Sequence, residues 1–368
     1  MEPEEEAKFI TLQDGRRLAY REQGVTPPEV AHRTLLVLHG IASSRLAGMP
    51  GVDEDLLREL SVRLVAIDRP GYGRSDKHPT QTFATFAADI AQLADLLELG
   101  ERIWLLGYSC GGAYCWGAAY YIPHRIAGIA MWAPVGNYWW KDISEADRSI
   151  VFGSSLNKDS RRELSIIRKL PPWVLHMYAR HVLLRSVGPK HVEAASAKLS
   201  PPDIRYLEKP LAYEGLIRDN IESAKQKYFG FGHDLYLITH HWGFEITDVP
   251  KVFHGPLHIW SGDEDSLVPF NLQQCIKKLI PELVHLHPLP GEGHLSAFCY
   301  NDKIHCETLT TLFGVSGGSR ATEHVGDNPE ELEKTGSPDV IVVKGAELQQ
   351  EDARAQAPQM SYFQLSPL

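Results

Sequence analysis

The chain has few cysteines and no cysteine pair at a redox or metal spacing. Cys110, Cys115, Cys275, Cys299 and Cys306 are odd in number and contain no CxxC, which fits a reducing compartment better than a disulfide framework. Basic charge is also in deficit: the formal net charge is −10 at pH 7 and the pI is near 5.9. Nucleic acid and anionic membrane surfaces call for a basic face, so neither is expected as the main partner. No GxGxxG or Walker pattern marks a nucleotide site. His240-His241 and His285-x-His287 lack carboxylate or cysteine partners at ligand spacing, so no metal and no cofactor are expected. Uncharged runs are short, and the longest, Ile103 to Ile122, is broken by Gly107, Ser109, Gly111, Gly112 and Gly117. It reads as a buried strand turning into a buried helix, not a membrane span.

What is present is ordinary globular material. The 368 residues are 43% hydrophobic and 23% charged, enough to bury a large core without disulfide staples. The acidic start, MEPEEEAKFI, has neither the basic flank of a signal peptide nor the arginines of a transit peptide. The closing Ser366-Pro367-Leu368 lacks the central basic residue of a peroxisomal ending. A cytoplasmic location is the resulting expectation, with the peroxisome as the weaker alternative.

A strand–helix rhythm runs through the first third. Phe9 to Tyr20 reads as a hairpin through Asp14-Gly15. Apolar runs at Thr34–Leu38, Val62–Ile67, Ile103–Leu106 and Ile126–Trp132 read as strands of a parallel sheet buried on both faces. Amphipathic stretches at Asp53–Leu60, Phe83–Leu99 and Cys110–Tyr121 read as the helices between them. The rhythm stops after Pro134 and resumes at Pro256–Trp260, followed by a helix over Phe270–Ile280, a strand over Val284–His287 and a last helix over Leu295–Phe313. This pattern predicts a doubly wound α/β sheet. Its core is divided between residues 1–134 and 253–313, with a mostly helical cap inserted over 135–252. The tail, 314–368, is rich in Gly, Ser and acid and reads as disordered.

Chemistry begins at Gly107-Tyr108-Ser109-Cys110-Gly111. This G-x-S-x-G lies between a strand and a helix, the setting in which it forms a nucleophile elbow. A serine needs a base, and an oriented base needs an acid. After the strand PLHIW comes Gly262-Asp263-Glu264-Asp265, and after VHLHPL comes Gly291-Glu292-Gly293-His294. The order Ser, Asp, His, each past the end of a strand, is that of a serine triad on an α/β sheet. At Leu38-His39-Gly40-Ile41 the glycine lets the backbone come close, so the amides of Ile41 and Cys110 are the candidate oxyanion hole. His39 reads as a structural support of that loop, not the base. Tyr108, Trp139, Trp140 and Trp242 are candidate lining residues of a substrate pocket.

With these motifs the sequence resembles the α/β-hydrolase superfamily from about Phe9 to Phe313. The resemblance rests on His39-Gly40, the DRPGYGRS run from Asp68 to Ser75, the GYSCGG elbow, the GDEDSLVP loop and GEGH. Tyr121–Trp140 and His241–Ile246 are similar to a poorly characterised branch of plant-type hydrolases. The resemblance implies Asp265 as the triad acid, with Asp263 its rival, and His294 as the base. Related epoxide and haloalkane hydrolases place Asp at the elbow, where this chain has Ser109. The implied activity is hydrolysis of a small apolar ester, lipid, thioester or amide through an acyl-enzyme. A ligand receptor on the same scaffold, or acyl transfer and lyase chemistry, are the alternatives that fold alone does not separate.

Overall fold

A computed structural model describes residues 7–27, 33–153 and 158–314; the tail and its closing tripeptide lie outside them. Eight strands form one sheet: β1 (Lys8–Thr11), β2 (Arg17–Gly24), β3 (Arg33–Leu38), β4 (Val62–Ile67), β5 (Ile103–Tyr108), β6 (Ile126–Trp132), β7 (Leu257–Gly262) and β8 (Val284–Leu289). Their spatial order is β1-β2-β4-β3-β5-β6-β7-β8. The first hairpin turns at Gly15, whose φ of +86° suits glycine, and β2 pairs antiparallel to β4. Every later pairing is parallel.

The apolar runs are continuous because both faces of the sheet are covered. Alternate residues serve opposite sides: Leu36, Leu38 and Leu105 join one core with Ile90, Trp116 and Ile276. Leu35, Val37 and Leu106 join the other with Leu57, Phe298 and Leu309. The covering helices are α1 (Glu54–Glu59), α2 (Phe83–Leu96), α3 (Cys110–Tyr121) and, later, α11 (Phe270–Leu279) and α12 (Asp302–Phe313). Between β6 and β7 the chain is helical: α4 (Glu145–Gly153), α5 (Lys158–Ile167), α6 (Pro172–His181), α7 (Pro189–Ser196), α8 (Pro201–Leu207), α9 (Pro210–Ser223) and α10 (Phe229–Thr239). Among the described residues no helix is long and apolar enough to cross a membrane.

Two helices fall short of the sequence pattern by three residues or more. The final one begins at Asp302, not Leu295, because Tyr300 takes φ +49° and the Asn301 side chain then caps the new helix at the Ile304 N–H. The second ends at Leu96, short of Leu99. Glu98 turns left-handed at φ +53°, and the Leu99 N–H reaches back to the Ala94 carbonyl.

Candidate active site

Parallel pairing brings the C-terminal ends of β3, β5, β6 and β7 level: Leu38 faces Gly107, Tyr108 faces Trp132, and Trp132 faces Trp260. Ligand sites of such sheets form at that edge. Ser109 occupies the single step between β5 and α3 with φ +53° and ψ −118°, a conformation that costs a non-glycine residue energy and needs its surroundings to hold it. They do: the Ser109 N–H donates to the Trp132 carbonyl (2.8 Å), and the Ser109 carbonyl accepts from Val135 (2.9 Å) and Gly112 (3.0 Å). The flanking glycines are sterically required. A Cβ on Gly107 would lie 2.5 Å from the Cys115 sulfur and 2.8 Å from the Gly111 carbonyl oxygen. One on Gly111 would collide with the Leu38 carbonyl.

His294 and Asp265 meet across the ends of β8 and β7. The His294 Nδ1 lies 2.7 Å from Asp265 Oδ2, and the other carboxylate oxygen accepts the N–H groups of Leu267 and Val268, each at 2.8 Å. Asp265 is fully buried and His294 nearly so. Burial alone would depress the imidazole; the charge and hydrogen bond of Asp265 outweigh it, and His294 titrates above its ordinary 6.5. Tyr108, the residue before Ser109, stacks on the His294 ring at 5.2 Å and donates its hydroxyl to the His294 carbonyl at 2.8 Å. The rival acid, Asp263, is exposed and accepts from the Gly291 N–H (2.7 Å).

The loop after β3 closes the opposite side. A Cβ on Gly40 would lie 3.3 Å from Ser109 Cβ and 3.8 Å from its Oγ, so this backbone lies against the serine. His39 Nε2 accepts the Arg69 N–H (3.0 Å), which puts the ring proton on Nδ1, 2.7 Å from the Gly40 carbonyl. Burial, with the Arg69 charge beside it, drives His39 well below the ordinary imidazole value. Arg69 also donates to the carbonyls of His39 and Gly40 and grips Asp234 of α10 through two bonds of 2.8 Å. The Tyr72 and Tyr114 hydroxyls donate to the same carboxylate at 2.6 and 2.5 Å. The Arg69 charge holds Asp234 below the ordinary carboxylate value despite burial. Cys110 is buried beside this pair, and burial and the Asp234 charge push its thiol well above the ordinary value, which disfavours the thiolate.

The segment after Ile41 is held by α9. Asp219 accepts from Ser43 Oγ (2.6 Å), the Ser44 N–H (2.9 Å) and Ser44 Oγ (2.5 Å), and burial pushes its carboxyl up to about 7. Ile41 packs against the core, and Cys110 opens α3, where helical N–H groups have no partner within the helix.

Of the candidate lining residues, Tyr108 touches His294. Trp140 and Trp242 pack edge to face at 5.0 Å, Trp242 also meeting Phe83, inside the apolar core. Trp139 is half-buried under the Arg168 guanidinium, 4.9 Å from its ring centre. The roles of Arg69, Asp203, Asp219 and Asp234 carry no local sequence signal, since their partners stand far away in the chain.

Residues 33–298 match the family model of the alpha/beta hydrolase fold, and the chain belongs to that family. A putative 2-succinyl-6-hydroxy-2,4-cyclohexadiene-1-carboxylate synthase of Bacillus subtilis (strain 168) is 30% identical over 125 residues, 33% of this chain and 42% of that protein. Epoxide hydrolase B of Mycobacterium tuberculosis is 27% identical over 106 residues, 28% of this chain and 29% of that one. The chain thus spans less than half the length of these curated relatives. Among solved structures, a thermophilic esterase from Thermogutta terrifontis superposes with TM-score 0.56 at 19% identity, covering 84% of this chain and 99% of its own. A bromoperoxidase from Bacillus anthracis gives TM-score 0.56 at 20% identity, covering 83% and 99%. At such identities the likeness is one of fold.

Proposed function

We propose that this protein is a serine hydrolase that cleaves a carboxylic ester, or a related lipid, thioester or amide, through Ser109, His294 and Asp265. The observation that carries the reading is the buried 2.7 Å contact of His294 Nδ1 with Asp265. Tyr108, adjoining the strained Ser109, packs on the same imidazole. With Nδ1 engaged by the carboxylate, Nε2 is the nitrogen left to take the Ser109 proton as its Oγ attacks a carbonyl carbon. The N–H groups of Ile41 and Cys110, the latter at the positive end of α3, receive the oxyanion. Collapse expels the alcohol, protonated by His294, and leaves an acyl-serine. His294 then deprotonates a water that attacks the acyl carbon, and returns that proton to Ser109 Oγ as the bond to the acyl group breaks and the acid departs.

The relative named as an epoxide hydrolase prompts comparison with alkyl-enzyme chemistry, but that chemistry uses a carboxylate at the elbow and this chain supplies a hydroxyl. The inserted helices act as the cap, excluding water and selecting an apolar substrate part. Only 8% of Ser109 and 4% of His294 is exposed, so entry requires the cap side to open. Fluorophosphonate labelling tests the proposal, with Ser109→Ala as control. Wild type should take the label and the variant none. A folded wild type that remains unlabelled would sink the reading and bring the ligand receptor forward.

A further inference from the structure

The loop that carries His294 is supported from an unexpected direction. Asp203 belongs to α8, in the inserted segment, and is fully buried. Three consecutive backbone N–H groups of the base loop point at its carboxylate. His294 donates to Oδ2 at 2.9 Å, and Leu295 and Ser296 donate to Oδ1 at 2.8 and 2.9 Å. Ser200 Oγ adds a fourth donor, to Oδ2 at 3.1 Å. The glycine before the histidine makes this approach possible, since a Cβ on Gly293 would collide with Asp203 Oδ1 and with Ser200 Oγ.

We infer that Asp203 is a positioning residue for His294: it clamps the backbone of the base loop from the inserted segment, so that imidazole, Asp265 and Ser109 keep their register. The inference rests on the hydrolase reading for its catalytic meaning. Asp265 holds the ring, whereas Asp203 holds the chain that carries the ring and touches no reacting atom. Three successive N–H groups converging on one anion form the kind of nest that otherwise needs water or a ligand. A loop so held loses the freedom to swing its side chain, and an ångström of misplacement at a reacting group costs on the order of a hundredfold in rate. The carboxylate also acts through space: Asp203 is among the charges that favour the protonated His294, after Asp265. The base is therefore assembled from both parts of the chain, its side-chain partner from the sheet and its backbone partner from the inserted helices.

The test is Asp203→Asn in the full chain. Asn keeps the shape and Oδ1-type acceptance for the Leu295 and Ser296 amides. It faces the His294 N–H with a donor and removes the charge, while the Ser200 hydroxyl can rotate to accept. Two readouts are taken: the His294 ring titration by NMR, assigned with His294→Gln, and the rate of fluorophosphonate labelling of Ser109. The titration midpoint should fall by about half to one pH unit, and labelling at neutral pH should slow about tenfold. Gly293→Ala, which keeps the carboxylate and pushes it off the amides, should slow labelling similarly and serves should the first variant not fold. A folded Asp203→Asn protein with an unmoved His294 titration overturns the inference, whatever its labelling rate. A wild type that takes no label overturns the hydrolase reading instead, and the titration still decides whether Asp203 acts on His294.

Discussion

His39 and His294 are both buried and both follow parallel strands, His294 stacked on Tyr108 and His39 preceding the Gly40 that lies against Ser109, yet their rings are wired in opposite senses. Both nitrogens of His39 are committed to backbone, one accepting from Arg69 and the other against the Gly40 carbonyl. A fully buried arginine lies beside it and disfavours the imidazolium. His294 has a carboxylate on one nitrogen, and its imidazolium is favoured despite equal burial. The difference lies in the neighbour, not in depth: an adjacent anion favours the imidazolium, and an adjacent cation with two backbone contacts favours the neutral ring.

The sharpest way to break this contrast is to remove each ring. His294→Gln should lower kcat/KM for an ester such as p-nitrophenyl acetate by about 10³-fold or more, since the serine loses its base. His39→Leu should retain activity within about tenfold, because its loss reaches Ser109 only through Gly40. Its cost should appear in stability, about 1–3 kcal/mol, as the Arg69 N–H and the Gly40 carbonyl lose a partner. Equal activity losses in the two variants would erase the distinction. Ester assays combined with urea denaturation read both.

The same contrast predicts where the molecule is brittle. The Arg69–Asp234 pair is fully buried and joins the His39-Gly40 backbone to α10 through paired 2.8 Å bonds. Asp234→Asn leaves the guanidinium without its counter-charge, a defect that costs about 3–5 kcal/mol. A large fall in the urea midpoint is expected, well beyond that of His39→Leu. A shift equal to an exposed pair such as Lys198–Glu163, worth about 0–1 kcal/mol, would mean that the network does not hold the loop.

How much of this could be read in advance depended on sequence separation. The elbow is local: the glycines that flank Ser109 sit within two residues of it, and the collisions they avoid follow from the tightness of the turn. The strand pattern was equally legible, because burial on both faces writes continuous apolar runs. Choosing Asp265 over Asp263 needed a family resemblance; the two are neighbours in one loop, and only the fold shows one carboxylate at His294 and the other at the Gly291 N–H. Arg69 and Asp234 are separated by 165 residues, and Asp203 and His294 by 91, so no spacing rule connects them. The helix ends failed for a different reason: Glu98 and Tyr300 adopt positive φ without being glycine, so the breaks fall on residues that do not announce them, and only Asn301, as the N-cap, marks the new start.

The smallest expected effect separates the two histidines by the pH dependence of stability. A group whose folded-state affinity for protons is depressed costs stability in acid, because the unfolded chain binds the proton more readily. His39 therefore destabilises the fold as pH drops below about 6.5, by up to about 1.4 kcal/mol per pH unit. His294 has the opposite sign: its folded value is raised, so its contribution is full in acid and fades as pH rises through that value. Half-buried histidines elsewhere act like His39. His176 and His258 are both held at about 4, chiefly by burial, so wild type should lose stability on acidification by more than one proton's worth. The variants isolate single terms against that background. From pH 7.5 to 5.5, His39→Leu should lose less stability than wild type and His294→Gln more, read as urea midpoints in matched buffers. Parallel curves for all three would mean that neither ring changes its proton affinity on folding, and the neighbour argument would fail for both.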